Sequence, residues 1–359
     1  MNLSQRWFLI RRKLAFLRTP VAKRVRLELT TDGRQITYFL VSLHALGYAV
    51  HVVGSPMVFR DLLLLRRSTA LPFIIGGKAR DTGVAMADTE GALERGNEPL
   101  KLLLDYDFFN PERKELRIPY FMHPVVYAKG LHQIASPADD APRPIRIGFF
   151  GTRDAEFYRQ RFYFPMLNRE QILESFLTGF QERIWKVNAP VNQWQTREIV
   201  VAIDGLGGDR SAKSFLPLPE YFDALRKCDF FLSPPGCCMP LSHNMIEGMA
   251  AGCIPIINCP DFFDPPLVDG KTCLAFETLQ DLAIVLQRAL EMNEDSRKVM
   301  RHHVRKYYLD HLVPESWFEG VLAMTKGKHL ILVNAEEVSM RLRMPNVSFD
   351  TPTVDSTGL

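Results

Sequence analysis

Short apolar runs alternate with amphipathic stretches along most of this chain, and that alternation sets the expected architecture. Val25–Thr30 and Ala49–Gly54 read as strands on either side of a helix, Gly33–Leu46, whose apolar residues fall at helical spacing. A helix between Met57 and Arg67 and strands at Phe73–Ile75, Leu102–Tyr106 and Ile118–Phe121 extend this first unit. The proline-rich, acidic stretch 136–144 reads as a linker. The pattern then starts again. Ile145–Gly151, Ile199–Asp204 and Phe230–Leu232 are expected strands, with helices over Arg169–Lys186 and Leu218–Lys227 between them. Strand, loop, helix and strand follow in close order: Ser233-Pro234-Pro235-Gly236 ends an apolar run, Ser242 opens a helix, Gly252 closes it, and Cys253–Ile257 resumes the sheet. Thr272–Phe276 adds a strand, and helices are expected over Leu279–Met292, Ser296–Leu309 and from Pro314 to Ala323. Strands that alternate with helices imply parallel sheets covered on both faces. The expected fold class is therefore α/β, with two Rossmann-like domains facing across a cleft, at 25–135 and 145–295.

Composition narrows the function classes. At 359 residues and 47% hydrophobic content the chain can bury two cores. No apolar run approaches the roughly 20 residues that span a bilayer. The six cysteines lie between Cys228 and Cys273 with no repeated Cys-x-x-Cys spacing, so reduced thiols in a cytoplasmic chain are expected rather than a disulfide or zinc framework. The net charge of +3 hides an asymmetry, because residues 1–26 hold eight Lys and Arg and no acid. Trp7, Phe8, Leu9, Ile10, Leu14, Phe16 and Leu17 are interleaved with those cations in the segment 1–24. Two readings stand side by side: peripheral contact with an anionic membrane surface, and a helix packed on the protein body with its basic face solvated. The rest of the chain is net acidic, which argues against nucleic-acid binding.

The most informative stretch is the sequence PPG, a short linker, S-H-N-x-x-E-G-M-A-A-G-C-I-P-I-I and PPLVDG, from Pro234 to Gly270. A helix N-terminus placed beyond strand ends suits a phosphate-bearing ligand, because its free N–H groups and dipole favour an anion. This run resembles the nucleotide-sugar half of GT-B glycosyltransferases, nearest to exostosin-like and bacterial envelope-polysaccharide transferases. The resemblance implies a nucleotide-sugar donor, a glycan or lipid-linked acceptor and no further cofactor. It also implies that the late helices, 296–325, brace the first domain, leaving 326–359 as an extension with a mobile end. By resemblance Ser242 and His243 contact the donor phosphates and Glu247 the ribose. Pro235, Gly236 and Asn244 belong to the same loop and helix start. The loop lacks the basic residue many such enzymes carry there and has Cys237-Cys238-Met239 instead.

Other candidates come from strand ends, where ligands of open α/β sheets bind. Gly151-Thr152-Arg153 closes a strand, and Arg153 is a candidate for the missing phosphate contact, or else for a local pair with Asp154. Asp204-Gly205-Leu206-Gly207-Gly208-Asp209 fails as a dinucleotide fingerprint, since Arg210 stands where the third glycine belongs. A general base for the acceptor hydroxyl is sought at Asp32, Asp105, Asp107 and His123. Asp32 can equally cap the helix that follows it. Asp261, Asp264 and Asp269 lack the compact Asp-x-Asp spacing of cation-dependent transferases, so no metal is implied. The alternatives to a transferase are a non-catalytic nucleotide- or glycan-binding scaffold and a nucleotide-sugar epimerase.

Overall fold

The computed structural model describes residues 13–30, 42–53, 73–75, 81–123, 126–127, 131, 142–153, 158, 162–187, 191–204 and 216–347. Asp32, Asp154, the stretch 205–215, the expected helix between Met57 and Arg67, most of Gly33–Leu46 and the tail beyond 347 lie outside them. The chain divides into two compact units, Met1–His132 with Leu312–Ala335, and Gln133–His311 with Glu336–Leu359. Each is a parallel α/β sheet, as the alternation of strands and helices predicts.

The first unit contains β1 (Arg24–Glu28), β2 (Ala49–Val53), β3 (Phe73–Ile75), β4 (Val84–Ala87), a short helix α1 (Glu90–Leu93), β5 (Leu100–Asp105) and β6 (Leu116–Ile118). The second unit contains β7 (Ile145–Thr152), α2 (Arg169–Gly179), β8 (Ile184–Lys186), β9 (Arg197–Asp204), α3 (Leu218–Arg226), β10 (Cys228–Leu232), α4 (His243–Ala250), β11 (Ile254–Ile257) and β12 (Leu274–Ala275). It continues through α5 (Leu279–Glu291) and α6 (Glu294–His311). The chain then returns to the first unit with α7 (Pro314–Ala323) and β13 (Gly327–Val333), and re-enters the second with α8 (Glu337–Arg343).

The helical pattern over Arg169–Lys186 ends at Gly179, and its last three residues form the edge strand β8. Within the late helical region, α6 belongs to the second unit and only α7 to the first; Gly320 of α7 lies against Leu116 of β6. The segment expected as an extension supplies β13, which pairs in parallel with both β5 and β6. Its Leu-Ile-Leu-Val run is buried toward its end and lies between β5 and the edge strand β6, a position that only long-range pairing assigns.

The seven strands of the first sheet run in the order β3-β2-β1-β4-β5-β13-β6 and the six of the second in the order β12-β11-β10-β7-β9-β8. Buried ion pairs hold each sheet to its helices. Arg26 on β1 donates to Glu98 at 2.7 Å and Glu28 at 3.1 Å and to the Ala92 carbonyl of α1 at 2.8 Å. In the second unit Asp229 on β10 is the buried partner of Arg146 and Arg297, each at 2.9 Å, and of Arg301, which fastens α6 to the sheet. Single-partner removal from such a cluster leaves uncompensated buried charge, which costs about 3–5 kcal/mol.

Of the basic segment 1–24, residues from Lys13 onward are described. Phe16 is fully buried, edge-on to His51 and under the Arg24 guanidinium, while Leu14 and Leu17 are 46% and 42% exposed. No helix among the described residues is long and apolar enough to cross a membrane.

Candidate functional site

The order of the second sheet places β7 between β10 and β9, so the chain lays β8 and β9 on one side of β7 and then β10, β11 and β12 on the other. A crevice beyond the carboxyl ends of strands at such a reversal is where open parallel sheets bind ligands. From β7 this edge receives Gly151, Thr152 and Arg153; from β10 it receives Ser233-Pro234-Pro235-Gly236 and, one loop later, the start of α4. A methyl group at Gly151 would stand 3.4 Å from Asn244 Nδ2, so the bare glycine lets the β7 backbone face the first turn of α4. Gly151, Thr152, Pro235, Gly236, Ser242, His243 and Asn244 thus gather at one edge.

The cation that organises this edge is Arg169, which the sequence pattern had hidden as the first residue of α2. Its buried guanidinium donates to the carbonyls of Pro235 at 3.1 Å, Pro234 at 3.2 Å and Thr152 at 3.4 Å, and stacks on Tyr158 with 4.5 Å to the ring centre. It ties the loop after β7 to the loop after β10. Arg153 takes another partner. Its guanidinium is held by both carboxylate oxygens of the adjacent Glu170, the shorter contact 2.6 Å. The phosphate contact expected from Arg153 would have to compete with this ion pair to Glu170; Asp154 lies outside the described residues.

Helix α4 is thin where it meets the sheet. Gly248 packs on Phe231 of β10, where an added methyl would lie 3.2 Å from the ring. Gly252 at φ +73° turns the chain out of the helix, and Arg143 donates to the Ala251 carbonyl at 3.0 Å, placing a cation at the negative end of the dipole. Ser242 occupies the N-cap position, but its hydroxyl makes no capping bond and donates instead to Asn244 Oδ1. The hydroxyl therefore leaves the first N–H groups of α4 to other partners. His243 Nε2 lies 4.0 Å from Glu336, whose backbone holds a left-handed φ of +52° just before α8.

Glu247 is only 5% exposed. Beside it is the Tyr221 phenol, whose pKa is pushed well above its ordinary value by burial first and then by the Glu247 charge, with Arg169 opposing the rise. The Tyr221 hydroxyl makes no hydrogen bond of normal geometry. Protein groups thus already surround the Glu247 carboxylate.

No protein-family model matches the chain, and no curated protein matches it. Solved structures similar to it are glycosyltransferases. One is a glycosyltransferase from Rickettsia africae ESF-5, with 10% identity and a TM-score of 0.48 over 84% of this chain and 98% of that one. Another is Anabaena Alr3699/HepE in complex with UDP, at 11% identity and a TM-score of 0.46 over 84% and 99%. A third is CalG4, the calicheamicin glycosyltransferase, at 11% identity and a TM-score of 0.37 over 84% and 98%. At such identities the chemistry has to be read from the site itself.

In the first unit the base candidates are spread over separate strand ends. Asp105 closes β5 and is paired with Arg113 at 3.1 Å while accepting from the Asp107 N–H at 3.0 Å. Asp107 accepts from Asn110 Nδ2 at 2.8 Å. Both carboxylates thereby shape the turn after β5. His123 is exposed beyond β6, and its carbonyl accepts from the Val126 N–H at 2.8 Å. Asp32 lies outside the described residues. Sequence reasoning passed over Asp88, which follows β4 and accepts from the Thr30 N–H at 2.8 Å, the Thr30 hydroxyl at 3.0 Å and the Tyr106 hydroxyl at 3.0 Å. The signal available was a lone aspartate after Val-Ala-Met-Ala, a run too short and too poor in β-branched residues to be read as a strand.

Proposed function

We propose that the chain transfers a sugar from a nucleotide-sugar donor to a glycan or lipid-linked acceptor, with the donor seated at the switch point of the second sheet. The observation that carries this reading is the edge where the bare Gly151 backbone, the Arg169-braced PPG loop and the uncapped start of α4 meet. In this reading the donor phosphates lie against the first turn of α4, with the imidazole of His243 beside them and the fixed cation of Arg169 adding positive potential from below. Their charge is met by protein groups, without a metal. Glu247 takes the ribose hydroxyls after a small shift away from Tyr221. Arg153 reaches the donor only by leaving Glu170.

Acceptor activation is assigned to the first unit. Asp105 and Asp107 are engaged locally, and His123 and Asp32 are to be tested alongside them for removal of the acceptor proton. The engagement of those two aspartates also favours a second reading, a nucleotide- or glycan-binding scaffold without turnover. We assign the work to cell-surface polysaccharide synthesis at the cytoplasmic face of a membrane, touched by the basic segment 1–24; exposed Leu14 and Leu17 beside Lys13 and Arg18 support that contact.

Calorimetric titration of the protein with UDP, GDP, TDP, CMP and ADP tests the donor site. One nucleotide should bind in the micromolar range and lose at least tenfold in affinity with Glu247→Ala or His243→Ala. Failure of every nucleotide to bind the folded protein would overturn the reading, and binding without sugar transfer to any acceptor would favour the scaffold.

A further inference from the structure

The PPG loop ends in two adjacent thiols that the donor reading does not use. Neighbouring residues of an extended chain point to opposite faces, which keeps adjacent sulfurs apart. Here the loop is folded back on itself. The Gly236 N–H donates to the Pro240 carbonyl at 3.0 Å, and any side chain at Gly236 would meet the Met239 carbonyl at 2.5 Å. This tight turn brings Cys237 Sγ to 3.5 Å from Cys238 Sγ, in a thiol–thiol hydrogen bond. Both residues are partly exposed, whereas Cys228, Cys253, Cys259 and Cys273 are buried. A disulfide needs its sulfurs about 2.05 Å apart, so an approach of roughly 1.5 Å closes the pair.

We propose that Cys237 and Cys238 form an oxidation site that a hydroperoxide closes into a vicinal disulfide. The hydrogen bond with Cys237, burial, and the nearby Glu337 and Glu336 all push the Cys238 thiol up. In the proposed sequence Cys237 attacks first. Its thiolate takes the terminal peroxide oxygen, the O–O bond breaks, and the remaining alkoxide leaves as an alcohol with the proton Cys237 gave up. Cys237 is then a sulfenic acid. The Cys238 sulfur attacks it, an S–S bond forms, and the sulfenic hydroxyl departs as water with the Cys238 proton. The two cysteines lose two electrons and the hydroperoxide gains them. The ring sits in the loop that leads into Ser242 and α4, at the edge built by Gly151 and Arg169.

The full-length reduced protein is treated with tert-butyl hydroperoxide, denatured, alkylated with iodoacetamide without reductant, digested and analysed by mass spectrometry. The peptide spanning 237–238 should be two hydrogens lighter than its dithiol form and carry no alkyl group, then take two after reduction. Cys238→Ser should stop at a sulfenic acid on Cys237 that a cyclic 1,3-diketone traps. A peptide doubly alkylated after oxidant, converted to sulfinic acids, or linked to another cysteine would overturn the proposal. None of these readouts depends on nucleotide binding, so a failed donor site leaves the result intact.

Discussion

The two sheets reverse their strand order at equivalent places, between β1 and β4 in the first unit and between β7 and β10 in the second, and the two places are braced with opposite charge. In the first unit a carboxylate, Asp88, gathers the Thr30 N–H, the Thr30 hydroxyl and the Tyr106 hydroxyl. In the second a guanidinium, Arg169, gathers the carbonyls of Thr152, Pro234 and Pro235. The first brace consumes donors and presents an anion. The second consumes acceptors and leaves backbone N–H groups at the start of α4 to a ligand. One architecture thus carries a half-buried carboxylate at one switch point and a buried guanidinium at the other.

Arg169→Met should give the largest effect, because methionine keeps only an unbranched apolar stem and removes the charge, the stacking on Tyr158 and every donor to the three carbonyls. Hydrogen bonds to a charged group contribute about 1.5–3 kcal/mol each; with partial replacement by water, a net loss of about 3 kcal/mol in urea unfolding is expected. Nucleotide affinity by calorimetry should fall more than tenfold. Unchanged affinity in a folded variant would break the comparison at its centre. Asp88→Asn keeps an acceptor oxygen and should cost about 1 kcal/mol with nucleotide affinity unaltered. A matching loss of affinity would mean that the first switch point also handles the donor.

Acid offers a milder contrast. Burial opposes the charge of Glu98, yet hydrogen bonds from Arg26 and Thr82 outweigh it and hold its pKa below the ordinary 4.5. A depressed carboxylate stabilises the fold above its unfolded pKa and loses that contribution as pH falls through its folded one. Hydrogen exchange in β1, corrected for intrinsic rates, should therefore accelerate as pH drops below about 4.5. Protection of β1 that is constant to pH 3 would show that the Arg26 cluster contributes little.

Much of this architecture was legible from periodicity alone. The Pro314–Ala323 helix, the β7 strand and the strand–loop–helix run through α4 stand where proline, glycine and apolar spacing predict them. What was not legible depended on partners distant in sequence. Gly327–Val333 lies in the stretch expected as an extension, and nothing local says that it inserts between β5 and β6. The amphipathic pattern of α2 runs on past Gly179 because a half-buried edge strand and a helix face look alike over three residues. At the site, the gathering of Gly151 with α4 followed from strand order. The exchange of roles between Arg153 and Arg169 did not: Glu170 and Arg169 are sequence neighbours, and only the carbonyls of Pro234, Pro235 and Thr152 distinguish which arginine is buried.

Two glycines on β7 separate the demands of fold and ligand, with the smallest stability change expected at the position that matters most for binding. Gly148 faces the core, where a methyl would stand 2.6 Å from Cys228 Sγ, so Gly148→Ala forces repacking and should cost about 1–3 kcal/mol. Gly151 faces the crevice at ordinary contact distance, 3.4 Å from Asn244 Nδ2 and 3.5 Å from the Phe149 ring. Gly151→Ala should leave the melting temperature unchanged or slightly raised, because alanine restricts the unfolded chain by about 0.4–1 kcal/mol. Its methyl nonetheless occupies the wall against which the proposed donor lies, and nucleotide affinity should drop about tenfold, the roughly 1.4 kcal/mol that corresponds to that factor. The same substitution would bind nucleotide normally if the ligand approached from elsewhere, and the open edge of the second unit would then be a feature of strand packing alone.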